Sequence, residues 1–335
     1  MYPSEPTQTE IFNDIIKNNN KPETLEEMII RYIKAHQKKI PNFEIGQKYY
    51  DQEPDIIREP PSRDATGQVD PLKPDDRLVT NFHANLVDQK VSYLVGKPIE
   101  FKYTDTNVIE QINLALGSRF DDKLHSVLTG ASNKGIEWIH PYIDEEGELK
   151  FFRVPAEQAV PIWKDREHEE LEAFIRFYKL DNEMKVEYWD ETLINYYVYD
   201  NGSLIRDYSR NLNSQETHFS TGSWGRIPFI PFKNNDSERS DLFMYKTQID
   251  AYNRRLSDTA NMFKESNELI YVLNYDDTDL SEFKRNMRHY GAIKVSNVDG
   301  GVDTIEIKVP VENTEKYLKM LYENIMNAIW PSSRF

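Results

Sequence analysis

GRIPFIPFKNNDSERSDLFMYKTQIDAYNRRLSDTANMFKESN, residues 225–267, is the stretch on which the architecture turns. Its first third is apolar and extended, and Pro228 and Pro231 remove two backbone donors from it. Such a segment suits an edge strand or a covered linker, not the middle of a sheet. After the polar break DSERS, the residues Leu242, Tyr245, Ile249, Tyr252, Leu256, Thr259 and Phe263 recur at alternating spacings of three and four. That pattern predicts a helix with a heptad-like seam, with Lys246, Asp250, Arg254, Asp258, Lys264 and Glu265 mostly off it. From Ser240 to Asn267, at a rise of about 1.5 Å per residue, the helix would be about 42 Å long. A rod of that length must lean on other helices of the chain or on copies of itself.

The composition narrows the function classes. The chain has 335 residues, room for two or three domains, and 41 Lys+Arg against 57 Asp+Glu, a formal charge of −16. Tight electrostatic binding of nucleic acid is disfavoured, because that affinity comes mainly from neutralising phosphates. A protein that lets DNA slide past is not disfavoured. There is no cysteine, so disulfides, Cys-ligated zinc and thiol catalysis are excluded. The N-terminus MYPSEPTQTE has no basic or apolar run of a secretory signal, and no stretch approaches the roughly 20 apolar residues of a membrane span. The expectation is a soluble protein of the cytoplasm, or of something assembled there.

Working outward, Thr24-Leu-Glu-Glu27 forms a capping box for a helix to about Lys39, stopped by Pro41. Residues 41–76 are turn-rich and read as a long loop. Arg77–Val95 is a second helix, closed by Gly96 and Pro98, and Ile99–Tyr103 alternates as a short strand before helices at 106–116 and 119–132. From Gly135 the period changes to two. GIEWIHPYI and ELKFFRV flank the turn Asp144–Gly147, Leu171–Leu180 is a strand, and VEYWDETLINYYVY meets LIRDYS across Asn201-Gly202. Residues 135–232 are therefore expected to form a largely antiparallel sheet. Beyond the long helix comes a β-α-β-β pattern: strand Leu269–Tyr275, a helix with Leu280, Phe283, Met287 and Tyr290 on one face, and a hairpin joining Ala292–Ser296 to Val302–Val309. A last helix starts near the cap Asn313, with Leu318, Leu321, Ile325 and Ala328 on its seam. The fold class is α+β: a helical and β-rich body, a long helix out, a small α/β tip and a helix back.

A search for catalytic chemistry ends without a constellation. Gly96-Lys97 lacks both the upstream glycine and the Ser or Thr of a phosphate loop, so a helix cap explains it. His168 lies among carboxylates with no second histidine at ligand spacing, and reads as a solvated turn. Asp276, Asp277 and Asp279 lack EF-hand spacing, and Asp279 reads as a helix cap. Glu306-Ile-Lys308 has the form of the tail of a metal-dependent nuclease site, with Asp55 or Asp75 as the remote acid, but strand alternation accounts for these residues without catalysis. The 20 Tyr, 16 Phe and 5 Trp include a run at strand periodicity in 184–208, with no basic groove beside it for base stacking.

Four collinear motifs carry a resemblance. NFHANLVDQKVSYLVGKPIEF (Asn81–Phe101), SNKGIEWIHPYIDEEGELKFFRVPAE (Ser132–Glu157), GSWGRIPFIPFKNN (Gly222–Asn235) and IKVSNVDGGVDT (Ile293–Thr304) resemble portal proteins of tailed bacteriophages, those of Bacillus siphophages among them. The resemblance spans nearly the whole chain. It implies a portal fold with residues 1–239 as the wing, 240–267 as the first stem helix, 268–310 as the clip and 311–330 as the second stem helix. It implies a non-enzymatic ring, usually of twelve subunits; the search of the residues above adds the expectation of no cofactor and no metal. The ring would sit at the capsid vertex of the virion, be built in the host cytoplasm, and carry DNA during packaging and ejection. The implied partners are other copies of the chain, terminase, head-completion or adaptor proteins, scaffold and capsid proteins, and double-stranded DNA passing without tight binding.

The stem seam is then Leu242, Tyr245, Ile249, Tyr252, Leu256, Phe263, Leu318, Leu321 and Ile325. The partner-docking set of the clip is Asp276, Asp277, Glu282, Arg285 and Arg288. Family members continue into a tunnel loop and a helical crown, whereas residues 331–335 end this sequence. The expectation is a truncated prophage portal or a fragment, mostly monomeric or forming incomplete rings. The alternatives are a metal-dependent nuclease and a monomeric remnant or adaptor.

Overall fold

The computed structural model describes residues 23–63, 67–70, 73–209, 212–266, 270–273, 302–305 and 309–329. The chain divides into two units. One comprises Met1–Gln52 and His83–Met244, the other Glu53–Phe82 and Tyr245–Phe335.

The first unit is built on two antiparallel sheets. In the smaller, β1 (Ile136–Ile143) lies between β2 (Leu149–Val154) and β9 (Ile230–Lys233). The proline-bearing β9 pairs with β1 alone and is an edge, as the missing N–H donors of Pro228 and Pro231 require. The larger sheet runs β3 (Ala159–Trp163), β4 (Leu171–Leu180), β5 (Glu183–Trp189), β6 (Leu193–Asp200) and β7 (Ser203–Arg206), with β8 (Gln215–Thr217) also on β6. Residues 135–232 thus contribute to two sheets, not one. Strand alternation explains how both are buried. Phe174, Trp189 and Tyr196 point into a core shared with Trp138, Val154, Ile227 and Phe229 of the smaller sheet and its flanks. Their neighbours Ile175, Val186 and Tyr197 point the other way, onto Ile29 and Ile33. Those two isoleucines lie on α1 (Leu25–Gln37), which opens with the expected capping box. Thr24 Oγ1 accepts from Glu27 N at 3.2 Å, and Thr24 N donates to Glu27 Oε2 at 3.0 Å.

Several boundaries differ from expectation, each for a local reason. Pro41 ends nothing downstream of itself: it occupies the first turn of α2 (Ile40–Tyr50), where a missing N–H costs little, so the expected loop loses its first ten positions. Gly46 of α2 leaves no room for a side chain, since a Cβ there would lie 1.7 Å from the Asn133 carbonyl oxygen. The second expected helix starts late, as α3 (Phe82–Val95), because the residues just before it give their N–H groups to side chains elsewhere in the second unit. Ile99–Tyr103 forms no strand. VEYWDETLINYYVY is split into β5 and β6 by a turn in which Asp190 Oδ1 accepts from Thr192 N and Leu193 N, both at 2.8 Å. The next helices are α4 (Thr106–Leu116) and α5 (Phe120–Lys134), and α5 stops at Gly135, whose φ of 100° suits glycine.

The second unit holds most of α6 (Leu242–Ser266), the stretch 53–82, the short antiparallel pair β10 (Ile270–Leu273) and β11 (Val302–Ile305), and α7 (Val311–Ile329). α6 has 25 residues, about 38 Å of helix at the usual rise. α7 begins two residues before the expected cap Asn313, with Thr314 N donating to the Pro310 carbonyl at 3.1 Å. The expected helix and hairpin strand between Asp279 and Ser296 lie outside the described residues, as do Asp276, Asp277, Glu282, Arg285 and Arg288.

Candidate functional site

The candidate site is α6 and what covers it. Its entry is fixed in the first unit by a polar knot. Lys90 Nζ donates to Asp241 Oδ2 at 2.8 Å and to Asn234 Oδ1 at 2.5 Å, while Asn234 Nδ2 donates to Asp241 Oδ1 at 2.8 Å. Asp241 is buried, and its N–H donates to the Ser132 carbonyl at 2.9 Å. A buried carboxylate with a cation and an amide on its two oxygens is stable only as a set, so Lys90, Asn234 and Asp241 together hold the first residue of the helix in place.

Along α6 the buried stripe runs Leu242, Tyr245, Ile249, Asn253, Ser257. It follows the heptad-like seam as far as Ile249, 1 % exposed, and then moves to the four-residue row that includes two polar positions. Tyr252 and Leu256 are half-buried, and Phe263 is 46 % exposed. The polar row is buried because residues 76–80 run along it. Asp76 N donates to Asn261 Oδ1 at 2.8 Å, Leu78 N to Ser257 Oγ at 2.9 Å, and Thr80 N to Asn253 Oδ1 at 3.1 Å. The geometry matches because four helical residues rise about 6 Å, close to the span of two residues in extended chain. Alternate N–H groups of the strap therefore meet successive turns of the helix. Asn261 Nδ2 also returns a bond to the Asp76 carbonyl at 3.3 Å, and Thr80 Oγ1 donates to Asn253 Oδ1 at 2.7 Å.

Ion pairs flank this ladder. Lys246 meets Asp55 at 2.5 Å, Lys264 meets Asp76 at 2.5 Å, and Arg254 pairs with Glu59, which raises the pKa of the guanidinium. Phe82 at the strap's end stacks edge-on against Tyr252 with centroids 5.0 Å apart and touches Tyr322 of α7 at 5.8 Å. On α7, Leu321 and Ile325 are buried and Leu318 is half-buried, which follows the expected seam, while Arg255 of α6 lies over the Tyr317 ring at 5.6 Å.

The expected seam found the apolar half of this site and passed over Asn253, Ser257 and Asn261. Their signal is three small polar residues at four-residue spacing in the interior of a helix, where such side chains otherwise compete with the helical backbone.

The remaining titratable candidates are tied up structurally. Asp55 sits in the pair with Lys246, and Asp75 is 2.8 Å from Arg77, so both carboxylates proposed for a nuclease have cationic partners. Glu306 and Lys308 lie outside the described residues. His168 is not simply solvated. Its Nδ1 is 2.7 Å from Glu238, and its ring stacks on Trp163 at 4.9 Å. A cavity of about 570 Å³ on the larger sheet has Lys185 and Asp207 in its wall, but these bond each other at 2.9 Å. Burial opposes the Asp207 charge, yet bonds from Ser209 and Lys185 bring its pKa down to about 2. Among the described residues no cluster of His, Asp and Glu could hold a metal ion, and no helix is long and apolar enough to cross a membrane.

A body of two sheets followed by a long strapped helix, a strand pair and a returning helix now stands beside the four motifs. The profile of the family described as phage portal protein, SPP1 Gp6-like, matches residues 30–327. The chain belongs to the phage portal protein family. The portal protein of Bacillus phage SPP1 is 36 % identical over 345 aligned residues, covering 98 % of this chain and 68 % of that protein. The portal protein of Clostridium phage phiCD119 is 31 % identical over 278 residues, covering 76 % of this chain and 60 % of that protein. The chain thus spans about two thirds of the length of these portal relatives. Among solved structures, a chain in the neck of an empty gene transfer agent particle has a TM-score of 0.40 at 9 % identity, covering 76 % of this chain and 69 % of its own. A chain of the native gene transfer agent virion has a TM-score of 0.39 at 10 % identity, covering 73 % and 63 %. Portal proteins are structural, non-enzymatic components of the capsid vertex, and nothing in the match or the fold favours a nuclease.

Proposed function

We propose that this chain is a subunit of a ring through which double-stranded DNA enters and leaves a phage capsid. In this reading residues 1–239 are the wing, 240–267 and 311–330 the two stem helices and 268–310 the clip. Asp276, Asp277, Glu282, Arg285 and Arg288 form the surface on which terminase and head-completion proteins dock. Scaffold and capsid proteins meet the ring during assembly in the host cytoplasm. Family membership supports the ring and the vertex. The formal charge of −16 supports a conduit to which DNA does not adhere.

One observation carries the reading. The long helix shows about half of several large apolar side chains to solvent: Phe243 is 54 % exposed, Met244 51 % and Phe263 46 %. On α7, Val311, Met320 and Tyr322 are exposed as well. Two helices that keep a buried seam and also show a second apolar face have a further partner, and repeated copies around a ring supply it. Sedimentation over a range of concentrations tests this. The expected result is concentration-dependent association into complete or partial rings, weakened by Phe243→Glu and Phe263→Glu. A single-copy species at every concentration, or association indifferent to both changes, would overturn it.

A further inference from the structure

One strand pattern in the sequence finds no partner in the single chain. Ile99, Phe101 and Tyr103 alternate with Glu100 and Lys102, yet among the described residues no strand or turn bonds to this segment. From Ser92 to Lys123 no residue is buried, and Ile99 and Tyr103 are 41 % and 64 % exposed. An alternating apolar segment with a free backbone is what a sheet edge accepts as a further strand.

The two sheets of the first unit have four ends, and three are closed to such an addition. β9 carries Pro231, and β3 carries Pro161 and a register shift at Ile162/Trp163. In β2 the Phe151 carbonyl already accepts from Lys123 Nζ at 2.5 Å. Prolines, bulges and covering charges are the usual protection of an edge. The fourth end, β7, has neither proline nor bulge, and among the described residues no strand lies beyond it. Its turn fixes which backbone groups face outward. Asn201 and Gly202 have φ values of 46° and 89°, as a two-residue type I′ turn requires, so Asp200 and Ser203 form the closing hydrogen-bonded pair. Bonded and non-bonded pairs alternate from there, and the Asp207 N–H, which donates to the Tyr196 carbonyl at 2.9 Å, keeps that phase. Leu204 and Arg206 therefore turn their N–H and C=O groups away from β6. Between them Ile205 is 56 % exposed.

We infer that residues 99–103 of one copy add as an antiparallel strand to the β7 edge of the next. Glu100 then lies opposite Arg206, Phe101 opposite Ile205, Lys102 opposite Leu204 and Tyr103 opposite Ser203. This register joins opposite charges and two apolar side chains, and it sets Glu100 and Lys102 to exchange backbone bonds with Arg206 and Leu204. A slip of one residue would put Glu100 or Lys102 against Ile205, and a slip of two would put Pro98 or Lys102 against Arg206. Within one chain both segment and edge stay unpaired, with Val91 and Leu124 buried on either side of the segment, so the partner is a second copy. Donor and edge are different surfaces, which makes the contact head-to-tail and compatible with a closed ring. The inference rests on the ring reading above.

Hydrogen exchange of the native chain, below and above the concentration at which it associates, tests the pairing. On association the amides of Leu204, Arg206, Glu100 and Lys102 should slow by at least about tenfold, while Ile205, bonded to β6, is protected throughout. Lys102→Pro removes one ladder donor from a segment the single chain leaves unpaired. It should abolish this protection and weaken association, whereas Lys102→Ala should do neither. Glu100→Arg should weaken association, and adding Arg206→Glu in the same chain should restore it. Association with these amides exchanging as in single chains, or protection that survives Lys102→Pro, would overturn the pairing and leave the ring intact. Chains that never associate would overturn the ring and the pairing together.

Discussion

The two units are stabilised by different means. The first buries a double-sided sheet, with Phe174 stacked on Phe229 at 3.7 Å between centroids and edge-on to Trp138 at 5.0 Å. The second holds most of a helix of 25 residues, with a short apolar stripe and a row of side-chain-to-backbone bonds. Aromatic burial at the scale of the first unit stabilises by several kcal/mol per residue, whereas each exchanged hydrogen bond of the second contributes about 1 kcal/mol net.

The largest contrast should appear on acidification. Burial pushes the pKa values of His36, His83 and His140 down to about 4, with the nearby Lys39 charge adding to the effect on His36. All three lie in the first unit. Their folded values lie below the ordinary 6.5, so between pH 6.5 and 4 the unfolded chain binds more protons. The stability they contribute is complete above pH 6.5 and is lost as the pH falls toward 4, by up to about 3 kcal/mol for each histidine. Thermal melts followed by tryptophan fluorescence should show the first unit failing steeply over that window. A flat profile there would mean that these rings are solvated. Next in size, Trp138→Ala should cost the first unit about 3–5 kcal/mol by cavity formation, against about 2–5 kcal/mol for Ile249→Ala in the second. Chemical denaturation read by exchange-protected peptides separates the two. Equal loss of protection in both units for either variant would erase the distinction drawn between them.

How far the amino-acid pattern reached follows the same divide. Period-two alternation located β1, β2 and β4, and the Asn201-Gly202 turn located the hairpin, because both signals are local in the chain. The α6 seam was legible to Ile249 for the same reason. It was not legible beyond, because what covers Asn253 and Ser257 is a backbone about 175 residues earlier in the chain, and backbone donors leave no mark on composition. Pro41 shows the local limit: a proline is equally at home after one helix and in the first turn of the next. Asp241 and Lys90 carried no signal as a pair, since nothing in spacing links residues that far apart. Family resemblance supplied the stem and clip assignments that periodicity alone does not name.

Smaller effects test the strap itself. Ser257→Ala leaves the Leu78 N–H without its acceptor and should cost about 1–2 kcal/mol, seen as faster hydrogen exchange at residues 76–80 with the first unit unchanged. Uniform exchange across the chain would count against a separate strap. The smallest change is expected from Lys264→Ala, at most about 1 kcal/mol and vanishing in high salt, because Lys264 is exposed and its partner Asp76 partly so.

The most direct test of the central claim, that these two units together form a subunit of a ring, is electron microscopy of the protein at the highest concentration it tolerates. The account predicts particles whose end-on views are closed or interrupted circles of repeated subunits around an open centre. A field of single chains, or of two-fold dimers with no central opening, would contradict it.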